Sequence, residues 1–275
     1  MPGNALPILG IRHKAESSEV KAMTQAEIRA EIARLKAHVM TLFPEEKQAG
    51  LEFPMPLVEK YRPQHIADFV GVKDAKAVFA ALLKNPRPCA LLLVGTQGVG
   101  KTSMALAFAK ELRAGLIHHA SAKLTVDAVN DTREKLNYHP ESGGYWVVLC
   151  DEADRMSPQA QVALLSALDS AATLRPKFGG GFEQGKPLPV IWIFTCNGGG
   201  EEGTEPPKSF EPRFLSRCLK VKFPPINGEL PGFLADIWKR ETKAPLPDCE
   251  AVARDSSGSV RDALQTLELR LMTAC

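Results

Sequence analysis

Eight residues, Gly95-Thr-Gln-Gly98-Val-Gly100-Lys101-Thr102, fit the spacing G-x-x-x-x-G-K-[ST], with an apolar run before them and a helical stretch, Thr102–Arg113, after them. Each residue type answers a need of phosphate chemistry. Glycines at 95, 98 and 100 let successive backbone N–H groups turn inward around phosphate oxygens, and the N-terminus of the following helix adds positive potential. Lys101 spans the β and γ phosphates of a triphosphate, the Thr102 hydroxyl ligates Mg²⁺, and Val99 and Ser103 complete the binding set. A second segment, Trp146-Val-Val-Leu-Cys150-Asp151-Glu152, delivers two carboxylates at the C-terminal end of an apolar strand, where ligands collect in open α/β sheets. Asp151 then holds Mg²⁺ through water, and Glu152 polarises the attacking water. Asp154 is expected to cap a helix or to face solvent.

Such residues must be held by a sheet. Five short apolar runs, Ala90–Val94, Leu116–Ala120, Trp146–Cys150, Val190–Thr195 and Leu219–Phe223, are separated by helical stretches. Strands alternating with helices demand crossover connections, so the expected fold class is α/β, a five-stranded parallel sheet sandwiched by helices. After Pro231 the strand signals stop, and stretches near Phe233–Glu241, Asp248–Asp255 and Val260–Met272 predict a small all-helical unit. Two glycine-rich inserts, Lys177–Gly185 and Gly198–Gly203, read as mobile loops. Upstream, Ile28, Ile32, Leu35, Val39 and Leu42 recur at helical spacing between Thr24 and Phe43, with Thr24 and Glu27 as a capping box and Pro44 as the stop. That apolar stripe meets either its own domain or a partner chain.

Composition limits the alternatives. With 275 residues the chain makes one large domain or one domain with a smaller companion. At 44% apolar and 24% charged, it is a soluble globular chain rather than a disordered, collagenous or disulfide-scaffold one. Lys and Arg number 34 against 32 acids, a net charge of +2, so any contact with a polyanion must come from a local patch. The six cysteines form no C-x-x-C pair and several sit in apolar runs, which favours reduced thiols and the cytoplasm. The first residues lack the apolar stretch of a signal peptide, and no run is long enough to span a membrane.

Further segments carry a likeness: Lys60-Tyr61-Arg62-Pro63 with Asp68-Phe69-Val70-Gly71, Thr195-Cys196-Asn197, Glu211-Pro212-Arg213, Ser216-Arg217-Cys218 and Gly258-Ser259-Val260-Arg261. With the two motifs above, they resemble the AAA+ ATPases, and within them the clamp-loader subunits of DNA replication, over roughly Leu57–Met272. The resemblance implies a P-loop NTPase AAA+ fold: an N-terminal extension over 1–53, an ATPase core over 54–225 and a helical lid over 226–275. It implies ATP hydrolysis with ATP and Mg²⁺, and Tyr61, Arg62, Pro63, Val70 and Gly71 packed around the adenine. Asn197 would orient the water or the γ-phosphate, and Arg261 would act in cis from the lid. Arg217 would be an arginine finger reaching the γ-phosphate bound by a neighbouring subunit, with Arg213 as its competitor. A finger of this kind is worth ~10³ to 10⁵ in rate. The implied partners are further copies or homologous AAA+ subunits, DNA, and a sliding clamp or another protein, with no membrane.

Departures from the family pattern qualify this. Clamp loaders carry a helical collar after the lid, and the sequence stops at Cys275 where the collar should begin, so ring cohesion is expected to differ. The segment Arg175–Pro189 is longer than in a minimal clamp-loader subunit and resembles the place where branch-migration motors and unfoldases insert a hairpin; it is either such a hairpin or a surface loop. Ser121–Asn130 aligns with the family's DNA-facing helix but carries only Lys123 as a positive charge, with Arg133, Lys135 and Lys177 as further candidates. Three functions stay open: a clamp-loader-like ATPase, an AAA+ ATPase remodelling protein–DNA complexes in recombination, transposition or branch migration, and a nucleotide-switched assembly protein.

Overall fold

The near-continuous apolar runs form the inner strands of one parallel sheet in the computed structural model, which describes residues 31, 34, 55–120, 124–140, 143–169, 174–176, 182–184, 188–200 and 203–273. Two compact units are present, Met1–Pro54 and Met55–Cys275. In the first, Glu31 and Arg34 are helical, and the rest of the expected helix over 24–43, with Pro44, lies outside the described residues. The second unit holds everything below.

It begins with α1 (Leu57–Lys60) and α2 (Lys73–Lys84), followed by β1 (Cys89–Gly95), α3 (Lys101–Glu111), β2 (Gly115–Ala120) and α4 (Val126–Lys135). Then come β3 (Trp146–Asp151), α5 (Pro158–Leu168), β4 (Leu174–Pro176), β5 (Phe182–Gln184) and β6 (Val190–Asn197). The last elements are α6 (Pro212–Leu215), β7 (Leu219–Phe223), α7 (Leu230–Glu241), α8 (Cys249–Asp255) and α9 (Val260–Thr273). The five expected strands pair in the order β2-β3-β6-β1-β7, all in parallel. From β1 the chain crosses to β2 at one edge, and from β6 it crosses over β1 to β7 at the other. The direction of winding therefore reverses between β1 and β6, and a crevice opens at their C-terminal ends. There Gly95 lies beside Asn197 in register.

Side chains alternate across the sheet, and each face is covered. Leu91, Leu93, Leu149, Ile193 and Phe223 point to the side packed by Phe79, Met104 and Phe108, and this cluster continues into the lid through Leu234, Trp238, Leu264 and Leu267. Leu92, Val94, Cys150, Trp192 and Phe194 point the other way, onto Val129, Leu164 and Phe214. The shared cluster joins sheet and lid. Helix starts follow local chemistry: the Thr125, Ser157 and Asp248 side chains accept the backbone N–H of Ala128, Ala160 and Ala251, capping α4, α5 and α8.

Three expectations change. Lys177–Gly185 is not simply a loop, because β4 and β5 pair antiparallel, with Leu174 opposite Gln184 and Pro176 opposite Phe182; residues 177–181 and 185 lie outside the described set. Strands of three residues are too short to show a period of two, so only the glycines were visible in the sequence. The lid's first helix starts at Leu230, not Phe233, because Pro231 sits in the first turn, where its missing N–H has no partner to lose. In the Gly198–Gly203 insert, an antiparallel bridge joins Gly199 to Glu205. Among the described residues, no helix is long and apolar enough to cross a membrane.

Candidate active site

The crevice between β1 and β6 deepens into a cavity of about 230 Å³. Its lining takes Gly98, Val99, Gly100, Lys101, Thr102 and Ser103 from the glycine loop and first turn of α3, and Asp151 and Glu152 from the end of β3. Asn197 comes from β6, Tyr61, Arg62, Pro63 and Val70 from the opening segment, and Arg261 from the lid. Residues up to 200 positions apart in sequence thus meet at one place. Gly71, Gly95 and Arg217 are outside the lining. Gly95 still contributes, since its carbonyl accepts a hydrogen bond from the Lys101 ammonium at 2.9 Å.

Lys101 is 8% exposed, and its Nζ also donates to the Thr96 carbonyl at 2.7 Å and to Asn197 Oδ1 at 3.4 Å. Burial pushes the ammonium below the ordinary lysine value, and the nearby Asp151 and Asp154 pull against it. A buried cation aimed into an open crevice and held there by carbonyls suits a polyanion. The Thr102 hydroxyl donates to Asp151 Oδ1 at 2.7 Å, so a hydroxyl and a carboxylate share one edge of the cavity. Among the described residues no cluster of three His, Cys, Asp or Glu could hold a metal alone. Two oxygen ligands beside a phosphate cradle suit Mg²⁺, which keeps most of its ligands as water and phosphate. The donor set therefore fits a magnesium triphosphate, and the buried Thr96 hydroxyl, without a partner among the described residues, leaves a further polar group in the loop.

The loop's shape also admits the lid. Gly98 has φ +78°, and a Cβ there would stand 2.1 Å from Ser259 Oγ, while the Arg261 N–H donates to the Gly98 carbonyl at 3.3 Å. Only a glycine lets the lid approach this closely. The lid is fastened to the opening segment as well. Lys60 Nζ reaches Glu241 at 2.8 Å, the Tyr61 hydroxyl donates to the same carboxylate, and the Gly71 N–H donates to Glu229 Oε2 at 2.9 Å. Burial and the bond to Glu241 push the Tyr61 phenol up to about 12, while Lys60 and Tyr61 hold the Glu241 carboxyl below its usual range.

Thr195, read in the sequence only as part of a strand end, proves to be a member of the site. It is 2% exposed; its hydroxyl donates to Asp151 Oδ1 at 2.5 Å and accepts the Glu152 N–H at 3.1 Å. Glu152 has φ 55° and ψ 48°, a left-handed backbone uncommon outside glycine, and Thr195 helps to hold it there. The one sequence signal was a hydroxyl inside the apolar run Val190–Cys196. Arg155, also missed, lines the cavity and pairs with Glu152 at 3.3 Å. Asp154 does not simply cap or face solvent, since its Oδ1 accepts the Asn197 N–H at 3.3 Å and ties the two strand ends together.

Residues 91–223 match the model of the ATPase family associated with various cellular activities, AAA. This stretch is an AAA ATPase domain. The AAA domain lies within a wider likeness to Replication factor C subunit 2 of Arabidopsis thaliana, 29% identical over 226 residues that cover 78% of this chain and 60% of the relative. The Replication factor C small subunit of Picrophilus torridus is 27% identical over 222 residues, 76% of this chain and 62% of the relative. The chain thus spans about three fifths of the length of the curated relatives it matches. Among solved structures, the Thermotoga maritima RuvB Holliday junction branch migration motor shares the fold at TM-score 0.55 and 18% identity, over 78% of this chain and 68% of that one. The AAA fold expected from the sequence is the fold found.

Arg217 stands apart from the cavity. Its Nε and Nη2 each donate at 2.8 Å to one oxygen of Asp169, and its Nη1 donates to the Arg213 carbonyl at 2.9 Å. Arg213 itself pairs with Glu211. Neither guanidinium reaches the site of its own chain.

Proposed function

We propose that this chain is an ATP-hydrolysing subunit of an AAA+ oligomer that acts on DNA, clamp-loader-like in replication, with residues 54–225 as its ATPase core and 226–275 as its lid. The observation that carries the reading is the convergence of Lys101, Thr102, Asp151, Glu152, Asn197 and Arg261 on one cavity that Arg217 does not enter. A site with every phosphate-handling group except a finger is completed by a neighbour. Its relatives named as replication factor C subunits support the replication role.

Lys101 and the loop N–H groups would hold the β and γ phosphates of ATP, and Thr102 and Asp151 would hold Mg²⁺, which when bound neutralises phosphate charge. Glu152 holds and polarises the attacking water, at a position set by its left-handed backbone and by Thr195. Asn197, bonded to Lys101, orients that water or the γ-phosphate. Arg261 reports the phosphates to the lid, and Tyr61, Arg62, Pro63 and Val70 wall the adenine, while Gly71, outside the lining, ties that segment to Glu229. Arg217, always protonated, would stabilise charge on the phosphoryl group bound next door. DNA would be met by Arg133 and Lys135 in the last turn of α4, together with Lys123 and Lys177, which lie outside the described residues. Buried free thiols at Cys150, Cys196, Cys218 and Cys249 support a cytoplasmic setting.

A second reading, a motor that remodels protein–DNA complexes, is favoured by the paired strands β4 and β5, placed where branch-migration motors carry a hairpin. One experiment addresses both. ATP turnover is measured for wild type, Lys101→Ala and Glu152→Gln, without DNA and with primer–template or four-way branched DNA. We expect Lys101→Ala to lose nucleotide binding, Glu152→Gln to bind ATP but hydrolyse it slowly, and primer–template to stimulate the wild type most. Normal ATP affinity in Lys101→Ala would overturn the site; stimulation by branched DNA alone would transfer the assignment to the second reading.

A further inference from the structure

Arg217 is not a loose surface cation. Asp169 is the C-cap of α5, the helix that starts six residues after Glu152, and its two oxygens take the Nε/Nη2 edge of the guanidinium at 2.8 Å each. With the Arg213 carbonyl as third acceptor, three of the five N–H donors are committed among the described residues, and two are left for an anion. The bidentate bond fixes the plane and direction of the group, which a single contact could not do. Each partner's ionised form is favoured by this hydrogen bond: it lowers the Asp169 carboxyl and raises the Arg217 guanidinium.

A second tie runs between the same two pieces of chain. Gln161, in α5 and 1% exposed, accepts the Glu211 N–H at 2.8 Å and donates to the Ser209 carbonyl at 3.3 Å. It also donates to the Met156 carbonyl at 3.4 Å, in the turn that follows Glu152. The segment 209–217 is therefore lashed to α5 at both ends of the helix. An eleven-residue helix is a stiff rod of about 16 Å. One of its ends follows the chain's own carboxylates, and the other carries the arginine.

We infer that Asp169 is the positioning residue of Arg217: it presents the guanidinium from the end of α5 in the orientation the neighbouring subunit's phosphate requires. The inference rests on the proposed function, since it gives Arg217 its trans role. It adds that the finger is pre-oriented before any neighbour arrives, and that the helix leaving the chain's own site bears the orienting group.

Subunit mixing tests the two separately. Arg217→Ala protein supplies an intact pocket without a finger, and Lys101→Ala protein supplies a finger without a pocket; their mixture should restore hydrolysis. If it does not, the trans reading fails and the Asp169 inference falls with it. Given restoration, Asp169→Ala is then added to one partner at a time. Placed in the finger donor, Lys101→Ala/Asp169→Ala, it should cut the restored turnover by about 10- to 100-fold, the size expected when a transition-state group moves by about 1 Å. Asp169→Asn, which keeps one acceptor oxygen, should cut it less. Placed in the pocket donor, Arg217→Ala/Asp169→Ala, it should change nothing, and this second mixture also controls for misfolding. Equal loss in both mixtures, or loss in neither, overturns the inference. Without nucleotide, the Arg217 Nε–H signal in a ¹⁵N–¹H spectrum, assigned by its disappearance in Arg217→Ala, should exchange slowly with solvent and do so fast in Asp169→Ala. Fast exchange in the wild type would equally overturn it.

Discussion

Thr195→Val is the sharpest probe of the site, because it removes one oxygen from a buried position and keeps the branched shape. Two hydrogen bonds disappear: one donated to the Asp151 carboxylate, and one accepted from the Glu152 N–H at 3.1 Å. A bond to a charged group contributes about 1.5–3 kcal/mol, and a part-buried N–H left without a partner costs about 1 kcal/mol, the low end of the range for such a donor. The added methyl recovers a fraction, so the net loss should be about 2–4 kcal/mol. For a domain of this size, 1 kcal/mol moves the melting midpoint by about 2–4 °C, which puts the expected drop at about 5–15 °C. Turnover should fall further than stability explains, because Glu152 sits at φ 55° and its N–H loses the partner that holds it there. Thr195→Ser keeps the oxygen and removes only a methyl, so it should retain most of the turnover. The assay pairs thermal melts with steady-state ATP hydrolysis at saturating nucleotide. A Thr195→Val protein that melts within 2 °C of wild type and turns over normally would refute the reasoning.

Two other perturbations follow from the lid. Gly98→Ala forces a side chain onto a backbone of φ +78° and into Ser259 Oγ, at about 1–2 kcal/mol for the backbone alone; fluorescent-nucleotide titration should show ATP affinity about 10-fold weaker, partly recovered by adding Ser259→Ala, and unchanged affinity would contradict the packing described. Glu241 has a folded-state pKa below the ordinary 4.5, so its contribution to lid docking is fully present above that value and is lost as pH falls through the lowered folded one. Melts recorded from pH 7 to 3 should therefore decline less steeply for Glu241→Gln than for wild type, and parallel declines would count against the contact.

What the sequence disclosed was what local pattern encodes. The glycine loop and the carboxylate-ended strand are contiguous, and the five runs stand at their observed places within a residue or two: β1, β3 and β6 are buried almost throughout and read as continuous apolar runs, while the edge strands β2 and β7 alternate in burial. Arg217 could be named from its Ser-Arg-Cys setting, but its partner could not. Asp169 lies 48 positions away, and nothing in a lone aspartate after an alanine-rich helix distinguishes it from a solvated cap. Thr195 was hidden for a related reason: a hydroxyl inside a strand is silent until the neighbouring strand brings Asp151 and Glu152 beside it. The pairing of β4 with β5 escaped because glycines mark a turn and three-residue strands leave no periodicity to read.

The ties from Lys60, Tyr61 and Gly71 to Glu241 and Glu229 join the segment proposed to wall the adenine to the helical unit that carries Arg261. Under that proposal, any swing of that unit drags the purine's flank along. Occupancy at one end of the proposed nucleotide would thereby be geared to occupancy at the other, and a ligand lacking either the ring or the terminal phosphates would engage only half of the mechanism.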